Sequence, residues 1–178
     1  MNEVQPYDYS RRSGVERISW TQVIEMARSL AEQLADRQVD SVVGIARAGL
    51  LPATLIACSL RLDLFPVRVT RREKDQVVRR SPQWIMDLPA QGIGQRVAVV
   101  DEIAATGETL ALVAERVRSA GARQVYTATL VSHTWANPRP DLCELVTDAL
   151  CIFPWDDPVY QNGVWQLHPE LRKALDEL

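Results

Sequence analysis

The sequence is poor in the residues that build cross-links and metal centres. Its 178 residues include only 3 cysteines and 2 histidines. Cys58, Cys143 and Cys151 are widely spaced and odd in number, so neither a disulfide framework nor a zinc pattern can be assembled from them with His133 and His168. The cysteines read as small buried apolar residues. Long apolar runs are also missing: none approaches the roughly 18 residues that span a bilayer. Residues 1–16 are polar and lack an apolar signal core, which predicts a cytoplasmic protein without a membrane partner. There is no excess of positive charge. Lys+Arg is 20 against Asp+Glu 23, a formal net charge of −3, so no bulk grip on nucleic acid follows and DNA is not an expected partner. Internal repeats and low-complexity tracts are absent. What is abundant is apolar: 47% hydrophobic residues with 24% charged, the mix of a globular chain rather than a disordered one.

The length suits one domain. Residues 1–16 read as a loose N-terminal arm and 17–178 as the folded domain. A helix is expected over about 21–36, with Val23, Met26, Ala27, Leu30 and Leu34 as its apolar stripe. Ser19 and Gln22 fit a capping box at its start. Residues 41–45 form an uninterrupted β-branched run, as in a strand covered on both faces. Further strands are expected at about 65–70, 96–100, 124–131 and 150–153, and helices at about 51–60, 108–120 and 171–178. Gly121 suits a helix stop. This alternation predicts an α/β fold, a doubly wound and mostly parallel sheet with helices on both faces. In such folds ligands bind beyond the carboxyl ends of the strands.

The strongest chemical signal runs from Val97 to Leu110. An apolar strand leads into two adjacent carboxylates, Asp101 and Glu102. Ile103, Ala104 and Ala105 follow, then Thr106-Gly107-Glu108-Thr109 opens a helix. Small residues let backbone N–H groups close around an anion, and a helix N-terminus adds partial positive charge. With the Thr106 and Thr109 hydroxyls this makes a cradle for one phosphate. Two ionised carboxylates beside it suit the vicinal hydroxyls of a sugar, which can only donate to them. An ordinary strand–loop–helix joint capped by Thr106 would explain the Thr and the Gly. It leaves the acid pair unexplained. The spacing, and the lack of a Lys, exclude a P-loop ATPase.

This segment resembles the phosphoribosyl-diphosphate (PRPP) motif of type I phosphoribosyltransferases. The resemblance implies that Asp101 and Glu102 hold the ribose hydroxyls, and that Ala104 to Thr109 hold the 5-phosphate. A second stretch, Ala46-Arg47-Ala48-Gly49 after a strand, is similar to the pyrophosphate loop of xanthine-guanine members and their close bacterial and archaeal relatives. There Ala46 stands where the family has Ser, and Ala48 where it has Gly. Alone, Arg47 would read as a surface charge. Beside the first motif its planar fork suits phosphate oxygens. Ala48 raises a question, because such loops use backbone conformations that Gly tolerates more easily. Ile18-Ser19-Trp20 and Phe153-Pro154-Trp155-Asp156 also resemble segments of that group, the latter near its base pocket. The implied architecture adds a small hood over the acceptor base.

The expected activity is transfer of the phosphoribosyl group of PRPP to a nitrogenous base, a purine being favoured, with pyrophosphate leaving. The implied catalytic residues are Asp101, Glu102 and Arg47, with Mg²⁺ as cofactor and Glu102 as its carboxylate. The base is expected to meet His133, Cys151, Phe153 and Trp155. His133 stands where relatives place a Lys that reads a 6-oxo group, Leu150 where they place a stacking aromatic, and Ala105 where purine members often carry an Asp. An exposed strand-end His and a core Trp are the plain alternatives for His133 and Trp155. From Arg68 to Arg80 there are six basic residues, including Lys74, against Glu73 and Asp75. That run reads either as a solvated loop or as a lid closing over PRPP. A homo-oligomer is expected. The competing functions are a transferase with a non-purine acceptor and a PRPP-sensing regulator that keeps the site without catalysis.

Overall fold

The computed structural model describes residues 11–73, 76–89 and 92–177. Most of the expected N-terminal arm, together with Lys74, Asp75 and Leu178, lies outside them. Chain order begins with β1 (Val15–Arg17), α1 (Trp20–Asp36), β2 (Ser41–Ile45), α2 (Leu50–Leu60) and β3 (Asp63–Thr70). Three short strands follow: β4 (Arg72–Glu73), β5 (Gln76–Val77) and β6 (Gln83–Met86). Then come β7 (Arg96–Ala104), α3 (Glu108–Ser119), β8 (Gln124–Ser132), β9 (Leu142–Val146) and β10 (Leu150–Ile152). β11 (Val159–Gln161), β12 (Val164–Gln166) and α4 (Pro169–Asp176) complete the described chain.

The central sheet has six strands in the order β6-β3-β2-β7-β8-β9. All its pairings are parallel except β6 with β3 at the edge. Period-two patterning splits its side chains between two cores. Val42, Ala98 and Val100 point into the core shared with α1 and α2, while Val43, Ile45, Val97 and Val99 point into the core beneath α3. Helices therefore cover both faces, as the uninterrupted apolar runs predict. α1 starts with the expected capping box: the Ser19 hydroxyl accepts from Gln22 N–H, and the Ser19 N–H donates to Gln22 Oε1 at 2.8 Å. Met26 is only partly buried, and Ala31 joins the stripe instead.

Two departures matter for the site. β7 does not stop before the acid pair. Its pairing with β2 ends at Val100, opposite Gly44, while its pairing with β8 continues to Ala104, opposite Ser132. Asp101 and Glu102 therefore sit at a step in the sheet, beyond the last pairing of β7 with β2 while β7 still runs along β8. The second departure concerns β10. It leaves the central sheet and pairs in parallel with β1. The end of the expected arm is thus a strand, with Ser13 N–H also donating to the Asp148 carbonyl at 2.8 Å. Residues of β10, β11 and α4 line one cleft together with the carboxyl ends of β2, β3 and β7.

Candidate active site

Two loops leave the sheet side by side, one from β2 and one from β7. They pack against each other through Gly49. A Cβ there would lie 2.5 Å from Asp101 Oδ1 and 2.6 Å from the Ile45 carbonyl oxygen. Gly49 has φ −60°, so it is needed for close approach and not for conformational freedom. The same holds for the loop as a whole. None of Ala46, Arg47 or Ala48 adopts a positive φ, so Ala48 fits without penalty. The Ala46–Arg47 peptide is cis.

The β7 loop turns at Gly107, which has φ 87° and caps α3 without any side-chain hydrogen bond. Thr106 is not the cap. Its hydroxyl accepts from Glu108 N–H over 3.4 Å, and its carbonyl takes the Asn137 N–H at 2.8 Å. A side chain at position 107 would collide with the Pro138 carbonyl. The loop is therefore braced from behind by 137–138, with Thr106 exposed and the first turn of α3 opening forward.

Both loops line one cleft of about 900 Å³. Ala46, Arg47 and Ala48 line it from the β2 loop, and Asp101, Glu102, Ala104, Ala105, Thr106, Gly107 and Thr109 from β7 and the loop that follows it. His133, Cys151, Phe153 and Trp155 also line it. Of the residues singled out in the sequence, Gly49 and Glu108 do not line it: the first is packed behind the loop and the second faces solvent.

The acid pair is asymmetric. Asp101 is buried, with Oδ1 accepting the Glu102 N–H at 2.9 Å. Burial first, and then the neighbouring Glu102 charge, push its carboxyl well above the usual range. Glu102 is half-buried and faces the cleft. Cys151 is buried and its thiol is pushed up to about 11 by desolvation, so it stays neutral. Phe153 and Trp155 stack with centroids 4.7 Å apart and planes 7° apart, and Trp155 also touches Trp20 at 5.8 Å. Trp155 thus packs on neighbours and lines the cleft at once. His133 is not an exposed strand-end residue: it is 1% exposed and stacked on Trp135.

The basic run divides. Arg68, Arg71 and Arg72 line the cleft beside Arg47. Arg79 instead turns back onto the Arg72 carbonyl and Glu73. Arg72 also meets Glu170 of α4 at 2.7 Å, tying the β4–β5 hairpin to the C-terminal helix. Other cleft residues escaped the sequence reading. Arg12 arrives through the β1–β10 ribbon, and Tyr160, His168 and Glu170 through the C-terminal segment. No motif marks them. Asp156 is the exception, since it closes the Pro-Trp-Asp stretch. Burial, with help from the Glu102 charge, raises its carboxyl to about 6, against hydrogen bonding from Phe153 N–H. No group of three or more metal-ligating side chains exists among the described residues.

A family model described as "Phosphoribosyl transferase domain" matches residues 16–157. The xanthine-guanine phosphoribosyltransferase of Chromohalobacter salexigens is 30% identical over 141 residues, covering 78% of this chain and 82% of that protein. That of Cereibacter sphaeroides is 30% identical over 149 residues, covering 78% and 85%. Among solved structures, a purine phosphoribosyltransferase from Pyrococcus horikoshii shares the fold with a TM-score of 0.72 and 29% identity, over 83% of this chain and 99% of the other.

Proposed function

This chain belongs to the phosphoribosyltransferase family, and on that premise we propose that it transfers the 5-phosphoribosyl group of PRPP to a nitrogen of a purine base and releases pyrophosphate. The observation that carries the reading is the step in the sheet. It sets a carboxylate pair, a phosphate-sized loop at a helix N-terminus and an Arg-bearing loop around one cleft.

Each group has a role its chemistry fits. The 5-phosphate sits in the Thr106–Thr109 loop, held by hydroxyls, backbone N–H groups and the positive end of α3. Asp101 and Glu102 accept from the ribose hydroxyls. Asp101 is buried, so its ionised form depends on those donors, and an empty cleft disfavours it. Arg47 binds pyrophosphate oxygens, with Arg68 and Arg71 adding positive charge in the same cleft. Base attack at ribose C1 and departure of pyrophosphate pass through an oxocarbenium-like state, so positioning and fixed charge do most of the catalysis.

The residues present suit Mg²⁺. This ion keeps several waters and binds through one or two carboxylates plus substrate phosphates, and needs no protein cage. Glu102, half-buried in the cleft, would hold it, directly or through water. When bound, the ion neutralises charge on the departing pyrophosphate. No helix among the described residues is long and apolar enough to cross a membrane.

The test is pyrophosphate release from PRPP and Mg²⁺ across a panel of purines, with Asp101→Asn/Glu102→Gln as the control. Release that needs a purine and collapses in the folded double variant supports the reading. PRPP binding without release for any base would point to a sensor instead.

A further inference from the structure

One carboxylate of the cleft has no part in the transfer reading. Glu170 lies in the first turn of α4, beyond the residues matched to the family, and lines the cleft together with Arg47, Arg68, Arg71 and Arg72. Its Oε2 accepts from Arg72 Nη1 at 2.7 Å, a contact between residues 98 positions apart. Neither side chain is sealed off: Arg72 is 29% exposed and Glu170 35%.

Each partner is held by its own segment. Arg72 opens β4, which pairs with β5. Its backbone N–H donates to the Thr70 hydroxyl at 3.0 Å, and its carbonyl accepts from Arg79 Nη1 at 3.3 Å. On the other side, the Glu170 N–H donates to His168 Nδ1 at 3.3 Å, and the His168 N–H donates to the Asp156 carbonyl at 3.0 Å. Ala174 of the same helix is buried. The ion pair therefore joins two segments whose backbones are anchored separately, so the side chains can part without either segment unfolding. An ion pair this exposed adds little to stability. Its chemistry matters more. A guanidinium takes a carboxylate or a phosphate through the same planar fork, so the two anions compete for one set of N–H donors. A diphosphate carries more charge than a carboxylate and can engage several arginines at once, which lets it win that competition.

We propose that Glu170 is a built-in competitor for the diphosphate: it holds Arg72 as an internal anion, and PRPP or pyrophosphate must displace it to gain that guanidinium. This rests on the phosphoribosyl-transfer reading of the cleft. The contact weakens ligands that carry a diphosphate. It leaves alone those with only a 5'-phosphate, whose proposed loop, Thr106–Thr109, is a different part of the chain. It also assists release of pyrophosphate, because Glu170 returns to Arg72 as the product leaves.

The test is calorimetric titration of the full chain and of Glu170→Gln with pyrophosphate and PRPP, each with Mg²⁺, and with GMP. Gln keeps the size of the side chain and removes its charge. Pyrophosphate and PRPP are expected to bind the variant at least about threefold tighter, near the upper end of what a partly exposed ion pair is worth. GMP should bind both proteins alike. In an Arg72→Gln background the Glu170→Gln change should have no effect, because the contested guanidinium is gone. Glu170→Ala serves the same comparison if the Gln variant does not fold. Diphosphate ligands that bind the variant no tighter, or more weakly, overturn the competition and leave the transfer reading standing. So does GMP that gains as much as they do. A wild-type chain that binds none of the three overturns both.

Discussion

Gly49→Ala is the sharpest test of how the two loops form one site. The new methyl carbon would sit 2.5 Å from Asp101 Oδ1, 2.9 Å from Asp101 Cα and 2.6 Å from the Ile45 carbonyl oxygen. Two of those three atoms are backbone, so no side-chain rotation relieves the clash. The β2 and β7 loops must separate, at an overpacking cost of about 1–3 kcal/mol. For a chain of this length each kcal/mol lowers the melting temperature by about 2–4 °C, so a fall of about 2–12 °C is expected. The same separation moves Asp101 within the cleft, and nucleotide binding should weaken with it. Scanning calorimetry and a titration with a purine 5'-mononucleotide measure both effects on one sample. Ala48→Gly is the matched control. Position 48 has no positive φ, so a glycine there brings no relief. It should instead cost up to about 1 kcal/mol through the freer unfolded chain. A Gly49→Ala protein that melts and binds like the wild type would refute the packing argument, and so would a stabilised Ala48→Gly.

Thr106→Val removes one hydroxyl at nearly constant shape and should weaken 5'-nucleotide binding by about 1–3 kcal/mol, read by calorimetry. Unchanged affinity would remove Thr106 from the phosphate cradle. Asp101→Asn with Glu102→Gln should abolish transfer while the melting temperature holds, because Asp101 is buried where a charge is disfavoured. A matching loss of stability would give the pair a structural role. Asp156 predicts a pH effect. Its folded carboxyl lies near 6 against an ordinary 3.8, so the folded state holds the proton more tightly than the unfolded chain does. Its contribution to stability is present below the unfolded value and is lost as pH rises from about 4 through 6, about 3 kcal/mol in all. Asp156→Asn should escape that loss. Melting curves of the two proteins should diverge across this pH window, and parallel curves would contradict the assignment.

Much of this protein is decided by local sequence. The capping box at Ser19 and Gln22, the buried run at 41–45 and the helix stop near Gly121 act within a few residues, so pattern and propensity reveal them. The loop proposed to hold the phosphate is equally local: Thr106-Gly107-Glu108-Thr109 carries its own turn and helix start. Tertiary structure decided the rest. β7 continues through the acid pair because β8 is long enough to pair with it, a fact about a neighbouring strand. β10 reads as one more strand of the sheet, yet it joins β1, because parallel pairing can bring together segments more than a hundred residues apart. That pairing brings Arg12 to the cleft, where no motif announces it. The meaning of Gly49 was likewise hidden: a glycine after a strand suggests conformational freedom, whereas here it makes room for Asp101. His133 shows the limit most clearly. Its position at a strand end was legible, but its burial, its ring contact with the Thr147 carbonyl and its stacking on Trp135 exist only in the folded chain.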